Sequence, residues 1–409
     1  RMLRLLQGDV GSGKTFVALM AILTALEAGA QAALLAPTEI LARQHYQGLS
    51  KLLKPLGLTP VLLSGSTKQK ARQNILQGLA DGSCQIAIGT HALLADEVLF
   101  ADLALAVVDE QHRFGVRQRL VLGQKGKNCD VLVMTATPIP RTLAMTAYGD
   151  LTVSRLDEKP AGRQDIETAL ISQDRLADVT ARLAAAIANG HRAYWICPLV
   201  EETDKLDAAA AEERHRALTA VMADANPVLA HGRMKTEQRE EAMSAFKDGT
   251  SKLLVATTVI EVGVDVPEAS IIIIEHAERF GLAQLHQLRG RVGRGDKQSS
   301  CILMYQPPLS DTARSRLKIM RHTNDGFVIA EEDLRLRGPG EVLGQRQSGL
   351  PEFCLADMAA HSDLLGLAHQ QAEKILSSSR GLDYPEMEKY VLLLSLFERD
   401  SAVQFLNSG

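Results

Sequence analysis

This sequence of 409 residues lacks cysteine pairs, long apolar runs and an excess of positive charge, and it has few aromatic side chains. Its five cysteines (Cys84, Cys129, Cys197, Cys301, Cys354) are scattered and form no Cys-x-x-Cys pair. They read as reduced thiols, mostly small core residues, in a reducing compartment rather than as a disulfide framework. Aromatic residues make up only 4% of the chain, which counts against a channel that holds single-stranded nucleic acid mainly by stacking. No apolar stretch approaches the roughly 18 uncharged residues of a membrane helix, and no secretory signal is visible, so no membrane partner is expected. Lys and Arg number 45 against 49 Asp and Glu, a net charge of −4. Bulk charge therefore does not announce a nucleic-acid partner, although a basic stripe can sit inside a balanced total. There is no repeat of fixed period and no low-complexity tract. The chain opens on Arg1 rather than Met, with a phosphate-loop pattern almost at once, and is expected to be a fragment whose N-terminal part is missing.

What is present is an ordinary globular composition, 46% hydrophobic and 23% charged, with length for two or three domains. The stretch Gly8-Asp9-Val10-Gly11-Ser12-Gly13-Lys14-Thr15 reads G-x-x-x-x-G-K-T. An apolar run (Leu3, Leu5, Leu6) precedes it and a helical pattern (Phe16, Val17, Leu19, Met20, Ile22, Leu23) follows. Strand, glycine loop and helix is the context of a P-loop. Glycines let backbone N–H groups curl around phosphates, and the helix N-terminus adds a favourable dipole. Lys14 can reach the β- and γ-phosphates and the Thr15 hydroxyl can hold Mg²⁺. The cofactors implied are ATP and Mg²⁺.

Short apolar runs alternate with helical patterns along two stretches. In the first the candidate strands are 3–6, 32–36, 61–64, 85–89, 105–109 and 131–136. They are almost continuously apolar, as strands buried on both faces are. A Pro/Gly/charge cluster at 157–163 reads as a linker. A second alternation follows at 166–171, 193–197, 228–230, 252–256, 271–275 and 301–305, without a P-loop of its own. Residues 206–225 read as a solvated helix. Beyond Gln306-Pro307-Pro308 the chain looks mainly helical, with a glycine-rich loop at 335–349. The fold class expected is α/β, two tandem doubly wound parallel-sheet domains plus a helical C-terminal extension, divided as 1–156, 157–306 and 307–409.

Two further patterns carry chemistry. Val107-Val108-Asp109-Glu110-Gln111-His112 places two carboxylates after an apolar strand, in the manner of a Walker B site. Asp109 would position Mg²⁺ and Glu110 would orient and deprotonate the attacking water. In the second half, Gln287 to Gly295 contains Arg-Gly-Arg-x-Gly-Arg. Arg291 and Arg294 are three apart and share a face if helical; their guanidinium groups suit a transferring phosphoryl across a cleft.

Together these pieces resemble the superfamily 2 helicases and translocases, with tandem RecA-like domains. Residues 8–15 look like motif I, Ala36-Pro37-Thr38-Glu39 like motif Ia, Gly89-Thr90-His91 like Ib, 109–112 like a DExH motif II and 135–137 like motif III. Residues 256–267 resemble motif V, and 287–294 match the Q-x-x-G-R-x-G-R of motif VI. Residues 109–116 and 137–142 are similar to the RecG branch, shared in part with transcription-repair coupling translocases. Residues 333–349 resemble the translocation motif of RecG proteins. The resemblance implies catalytic roles for Lys14, Asp109, Glu110, Gln287, Arg291 and Arg294. It implies nucleotide contacts from Gly8, Gly11, Gly13, Lys14, Thr15 and Asp265, with Mg²⁺ at Thr15 and Asp109. DNA contact or coupling falls to Thr38, Arg43, Thr90, Thr257, Arg316, Arg337 and Gln347. The activity implied is an ATP-dependent double-stranded DNA translocase or helicase that remodels forks and Holliday junctions in recombination and repair; a transcription-repair coupling translocase is the alternative. The implied setting is the bacterial cytoplasm and nucleoid, the implied state a monomer, and the implied partners are branched or duplex DNA and a single-stranded-DNA-binding protein. RecG proteins also carry an N-terminal wedge domain and an adenine-reading segment, and neither is found in this sequence.

Overall fold

The computed structural model describes residues 2–9, 11–109, 122, 125–135, 152–157, 165–198, 204–257, 266–293, 295, 297–337, 362–378 and the isolated positions 389, 392, 393 and 395. By contacts the chain divides into two units, Arg1–Ile139 with Thr152–Leu336, and Pro140–Leu151 with Arg337–Gly409.

The first unit holds two parallel sheets. In the N-terminal one, β1 (Leu3–Gly8), β2 (Gln31–Leu35), β3 (Val61–Leu63), β4 (Ile86–Gly89), β5 (Leu103–Val108), β6 (Asp130–Thr135) and β7 (Thr152–Leu156) lie in the order β3-β4-β2-β5-β6-β1-β7. Their crossovers include α1 (Lys14–Glu27), α2 (Glu39–Leu53) and α3 (Gln69–Ala80). In the second, β8 (Glu167–Ser172), β9 (Arg192–Ile196), β10 (Val228–Ala230), β11 (Leu253–Ala256), β12 (Ala269–Ile274) and β13 (Ser300–Tyr305) lie in the order β10-β11-β9-β12-β13-β8. With them run α4 (Leu176–Ala188), α5 (Asp204–Val221), α6 (Thr236–Asp248) and α7 (Leu282–Arg289). Every strand pairing in both sheets is parallel. All strand C-termini of a sheet therefore lie along one edge, where ligands of doubly wound folds bind.

The apolar runs follow from burial on both faces. Along β9, Tyr194 and Ile196 join one core with Ile272, Ile274, Leu285 and Leu288, whereas Ala193 and Trp195 join another with Val179, Leu183 and Ile187. Side chains alternate across a strand, so both sets have to be apolar. Helix α4 presents Val179, Leu183 and Ile187 four residues apart, one buried stripe. Helix α2 starts where the Thr38 hydroxyl accepts from Leu41 N at 3.4 Å, with Glu39 in its first turn and Lys51 in its last.

One strand lies outside the candidates, and two expectations need correction. Strand β7 has no apolar run; Thr152–Leu156 is half-exposed on the outer side of β1. Edge burial needs only partial apolar character. Its Arg155 guanidinium lies 4.8 Å above the Phe327 ring. The helix expected at 206–225 is α5, which stops at Val221 and is not solvated all round, since Ala211 and Leu218 are buried against the Trp195 core. Among the described residues of the helix, only Ala211 and Leu218 mark that apolar face inside an otherwise charged, alanine-rich sequence. The glycine-rich loop expected from 335 begins in helix.

That helix belongs to a pair, α8 (Asp311–His322) and α9 (Gly326–Arg337). Ser310 caps α8 by accepting from Ala313 N at 3.2 Å, and Asp325 caps α9 by accepting from Phe327 N at 2.8 Å. Leu317, Met320 and Ile329 pack into the core of the second sheet. The second unit includes α10 (Ser362–Ser378).

Candidate active site

The P-loop leaves β1 at Gly8 and turns into α1 at Lys14. Gly11 and Gly13 have φ of 84° and 92°, a left-handed backbone that β-carbons disfavour. At Gly8 a Cβ would collide with the Ser12 hydroxyl and press on Leu156 of β7. The Lys14 ammonium donates to Gly8 O and Asp9 O, both at 2.8 Å. Thr15 is exposed in the first turn of α1.

Asp109 follows β5 at the same sheet edge, its N–H donating to Leu35 O at 2.9 Å. Its carboxylate is almost buried and meets His45 Nε2 of α2 at 2.7 Å. The oxygen donors at hand, one hydroxyl (Thr15) and one carboxylate (Asp109), suit Mg²⁺, which takes few protein ligands and completes its shell with phosphates and water. Among the described residues no group of three His, Cys, Asp or Glu could form an all-protein metal cage.

From the second sheet comes α7. Its Leu282, Leu285 and Leu288 are buried, and so are His286 and Arg289. His286 Nε2 lies 3.3 Å from Asp9 Oδ1 of the P-loop. His286 Nδ1 accepts from Arg289 Nη2 at 3.2 Å. Arg289 Nη1 donates to Met320 O at 2.8 Å and Thr323 O at 2.9 Å, at the end of α8. Gln287 is half-buried on the same helix, and Arg291 is half-buried in the turn after it.

The residues read as DNA-contacting fall mostly along strand ends. Thr38 is the cap of α2. Arg43 pairs with Glu39 at 2.7 Å and donates to Ser66 Oγ at 3.3 Å. The Ser64 hydroxyl donates to the same Glu39 oxygen at 3.1 Å, and so does Ser66. The bond from Ser66 and the neighbouring Arg43 hold the Glu39 carboxyl below its usual range, against a smaller opposing push from burial. Thr90 and Thr257 are buried at the ends of β4 and β11, with Thr90 N donating to Leu63 O and Thr257 N to Ala230 O. The Thr90 hydroxyl has no hydrogen-bond partner among the described residues. Arg316 lies on α8 and donates to Phe280 O at 3.0 Å. Glu110, Asp265, Arg294 and Gln347 lie outside the described residues, as do residues 136–137 of motif III, residues 258–265 of motif V and the Arg337 side chain.

Comparison with known proteins bears on this edge-to-edge arrangement. The family model for DEAD/DEAH box helicases matches residues 3–146, and that for the helicase conserved C-terminal domain matches 175–296. A third, for the C-terminal part of domain 3 of the ATP-dependent DNA helicase RecG, matches 323–400. The ATP-dependent DNA helicase RecG of Pasteurella multocida is 53% identical over 380 residues, covering 92% of this chain and 55% of that protein. That of Escherichia coli K12 is 50% identical over 401 residues, covering 95% and 58%. The chain belongs to the RecG family. A solved structure of RecG bound to a three-way DNA junction superposes with a TM-score of 0.71 at 43% identity, over 89% of this chain and 47% of that one. The two sheets are thus the RecA-like pair of this helicase family, and the chain spans a little over half the length of the curated RecG relatives it matches.

Within this member of the RecG family, three site residues escaped the motif reading: His45, His286 and Arg289. A signal was present for each. His45 stands three residues after buried Ala42 and four before buried Leu49. His286 and Arg289 each lie four after a buried leucine, Leu282 and Leu285. A polar residue on a core-facing stripe needs a partner. The identity of that partner is not written in local spacing.

Proposed function

We propose that this chain is the motor of an ATP-dependent double-stranded DNA translocase or helicase that remodels branched DNA, stalled forks and Holliday junctions, in recombination and repair. The observation that carries the reading is the approach of Asp9, on the P-loop of the first sheet, to His286, on the motif VI helix of the second. A nucleotide site shared by two lobes can exchange cleft closure for nucleotide binding.

In this reading ATP is held by Gly8, Gly11, Gly13, Lys14, Thr15 and Asp265. Bound Mg²⁺, at Thr15 and Asp109, would neutralise phosphate charge. Glu110 orients and deprotonates water, Gln287 supports the site, and Arg291 with Arg294 stabilises the charge developing on the transferred phosphoryl. DNA is held mainly through phosphates by Thr38, Arg43, Thr90 and Thr257, with Arg316, Arg337 and Gln347 coupling closure to movement. We place the domain divisions at 156/157 and 306/307, and we expect a monomer in the bacterial cytoplasm and nucleoid, with a single-stranded-DNA-binding protein among its partners. The RecG names of the relatives and the junction-bound solved structure support branched DNA as the substrate.

The test is ATP turnover of the full-length protein with and without a three-way junction. Stimulation by the junction, lost in Glu110→Gln, is expected; unstimulated wild-type turnover, or undiminished turnover in the variant, overturns the assignment.

A further inference from the structure

His286 is 4% exposed, too buried for a polar side chain without a purpose. Arginine only donates hydrogen bonds, so His286 Nδ1, 3.2 Å from Arg289 Nη2, is the acceptor. A ring that accepts at Nδ1 carries its proton on Nε2. That N–H faces Asp9 Oδ1 at 3.3 Å. Yet Nε2 makes no well-aligned hydrogen bond among the described residues. Donor and acceptor are matched and close but not in line, and such contacts in catalytic sites tighten as the site assembles.

Asp9 is held from two sides. Lys14 Nζ donates to its carbonyl at 2.8 Å, and His286 approaches its carboxylate. On the far side of the imidazole, Arg289 fixes the end of α8 through Met320 O and Thr323 O, the helix end where a cation is favoured. Gln287 and Arg291 flank this anchored segment in sequence.

We propose that His286 is a positioning residue whose partner is Asp9. Donation from Nε2 to the Asp9 carboxylate sets α7 against the P-loop, and so aims Gln287 and Arg291. The same imidazole passes displacement of the P-loop to Arg289 and the turn between α8 and α9. The inference rests on the ATP-driven reading above. It adds a contact between lobes that neither the P-loop motif nor the arginine motif contains.

A double-mutant cycle in the full-length protein tests it. Variants are His286→Ala, Asp9→Ala and the pair, with His286→Gln, whose amide nitrogen replaces Nε2–H, as the conservative rescue. Turnover is measured with and without a DNA junction, and affinity with a fluorescent ATP analogue. Misplaced reacting groups cost up to about a hundredfold, so His286→Ala is expected to lower kcat about tenfold or more. Nucleotide affinity should stay within about threefold, because the P-loop donors are untouched. Asp9→Ala should add little to His286→Ala, and His286→Gln should recover most of the loss. Additive single effects, or wild-type kcat in His286→Ala, overturn the proposal. If His286→Ala does not fold, Asp9→Ala carries the same expectation from the more exposed end of the contact. Turnover without DNA reads the pair independently, so failed junction stimulation of the wild type sinks the DNA reading, whereas additivity sinks the pair.

Discussion

His45 Nε2 and Asp109 Oδ2 are 2.7 Å apart, joining the middle of α2 to the acidic end of β5. Both side chains are close to nine-tenths buried, at 11% and 12% exposure. The imidazole limits the carboxylate to one orientation, as outer-shell partners of metal ligands do. His45→Ala is expected to reduce Mg²⁺-dependent ATP turnover about ten- to a hundredfold and to raise the Mg²⁺ required. Mg²⁺ titration of both turnover and fluorescent-nucleotide binding checks this; unchanged titrations would show the contact to be structural only.

Glu275, just after β12, is almost buried, and accepts from Trp195 Nε1 and from Arg214 at 2.5 and 3.0 Å. Arg214→Met leaves that carboxylate short of its charged partner. The cost of stranding a buried charge is about 3–5 kcal/mol, and the lower end applies because the Arg214 side chain is 24% exposed. Trp195 is the single tryptophan, so its fluorescence follows the second sheet alone. The denaturant midpoint of that signal is expected to fall clearly in the variant; an unmoved midpoint contradicts the network.

Glu39 gives a signed pH dependence. Bonds from Ser66, Arg43 and Ser64 hold its carboxyl below the ordinary value of 4.5. A group whose folded pKa is depressed contributes stability that is complete above its unfolded pKa and disappears as pH falls through the folded one. Wild type should therefore exceed Glu39→Gln in melting temperature at pH 7, and the gap should close as pH drops below 4.5. A gap that widens in acid would reverse the sign.

Thiol reactivity reports the cores. Burial pushes the Cys301 thiol up to about 12 and raises that of Cys197 further, with the nearby Glu275 charge adding to it. Cys129 is buried as well, while Cys84 is half-buried. In a Cys354→Ser background, a thiol reagent at pH 8 should find at most Cys84 in the native protein and all four cysteines in denaturant. Rapid native labelling of Cys197 or Cys301 would contradict their place in the sheets.

Much of this was legible from residue order. Central strands buried on both faces have to be apolar at successive positions, so β2, β9, β11 and β12 stand out within one or two residues of their observed ends. The edge strand β7 does not, because one side of it faces solvent and Arg155 is tolerated there. Helix α5 misled because two buried side chains, Ala211 and Leu218, suffice to anchor a helix whose other faces are charged.

By itself the sequence determined the P-loop, since Gly11, Gly13 and Lys14 must fall within one tight turn, and it determined the two parallel sheets through their apolar strands. Only the tertiary structure decided which polar side chains meet. His45 finds Asp109 across 64 positions, and His286 finds Asp9 from another sheet. Hydrophobic periodicity tells which face of a helix turns inward. Where that face lands depends on how the helices pack across the sheets, and those contacts join residues far apart in the chain.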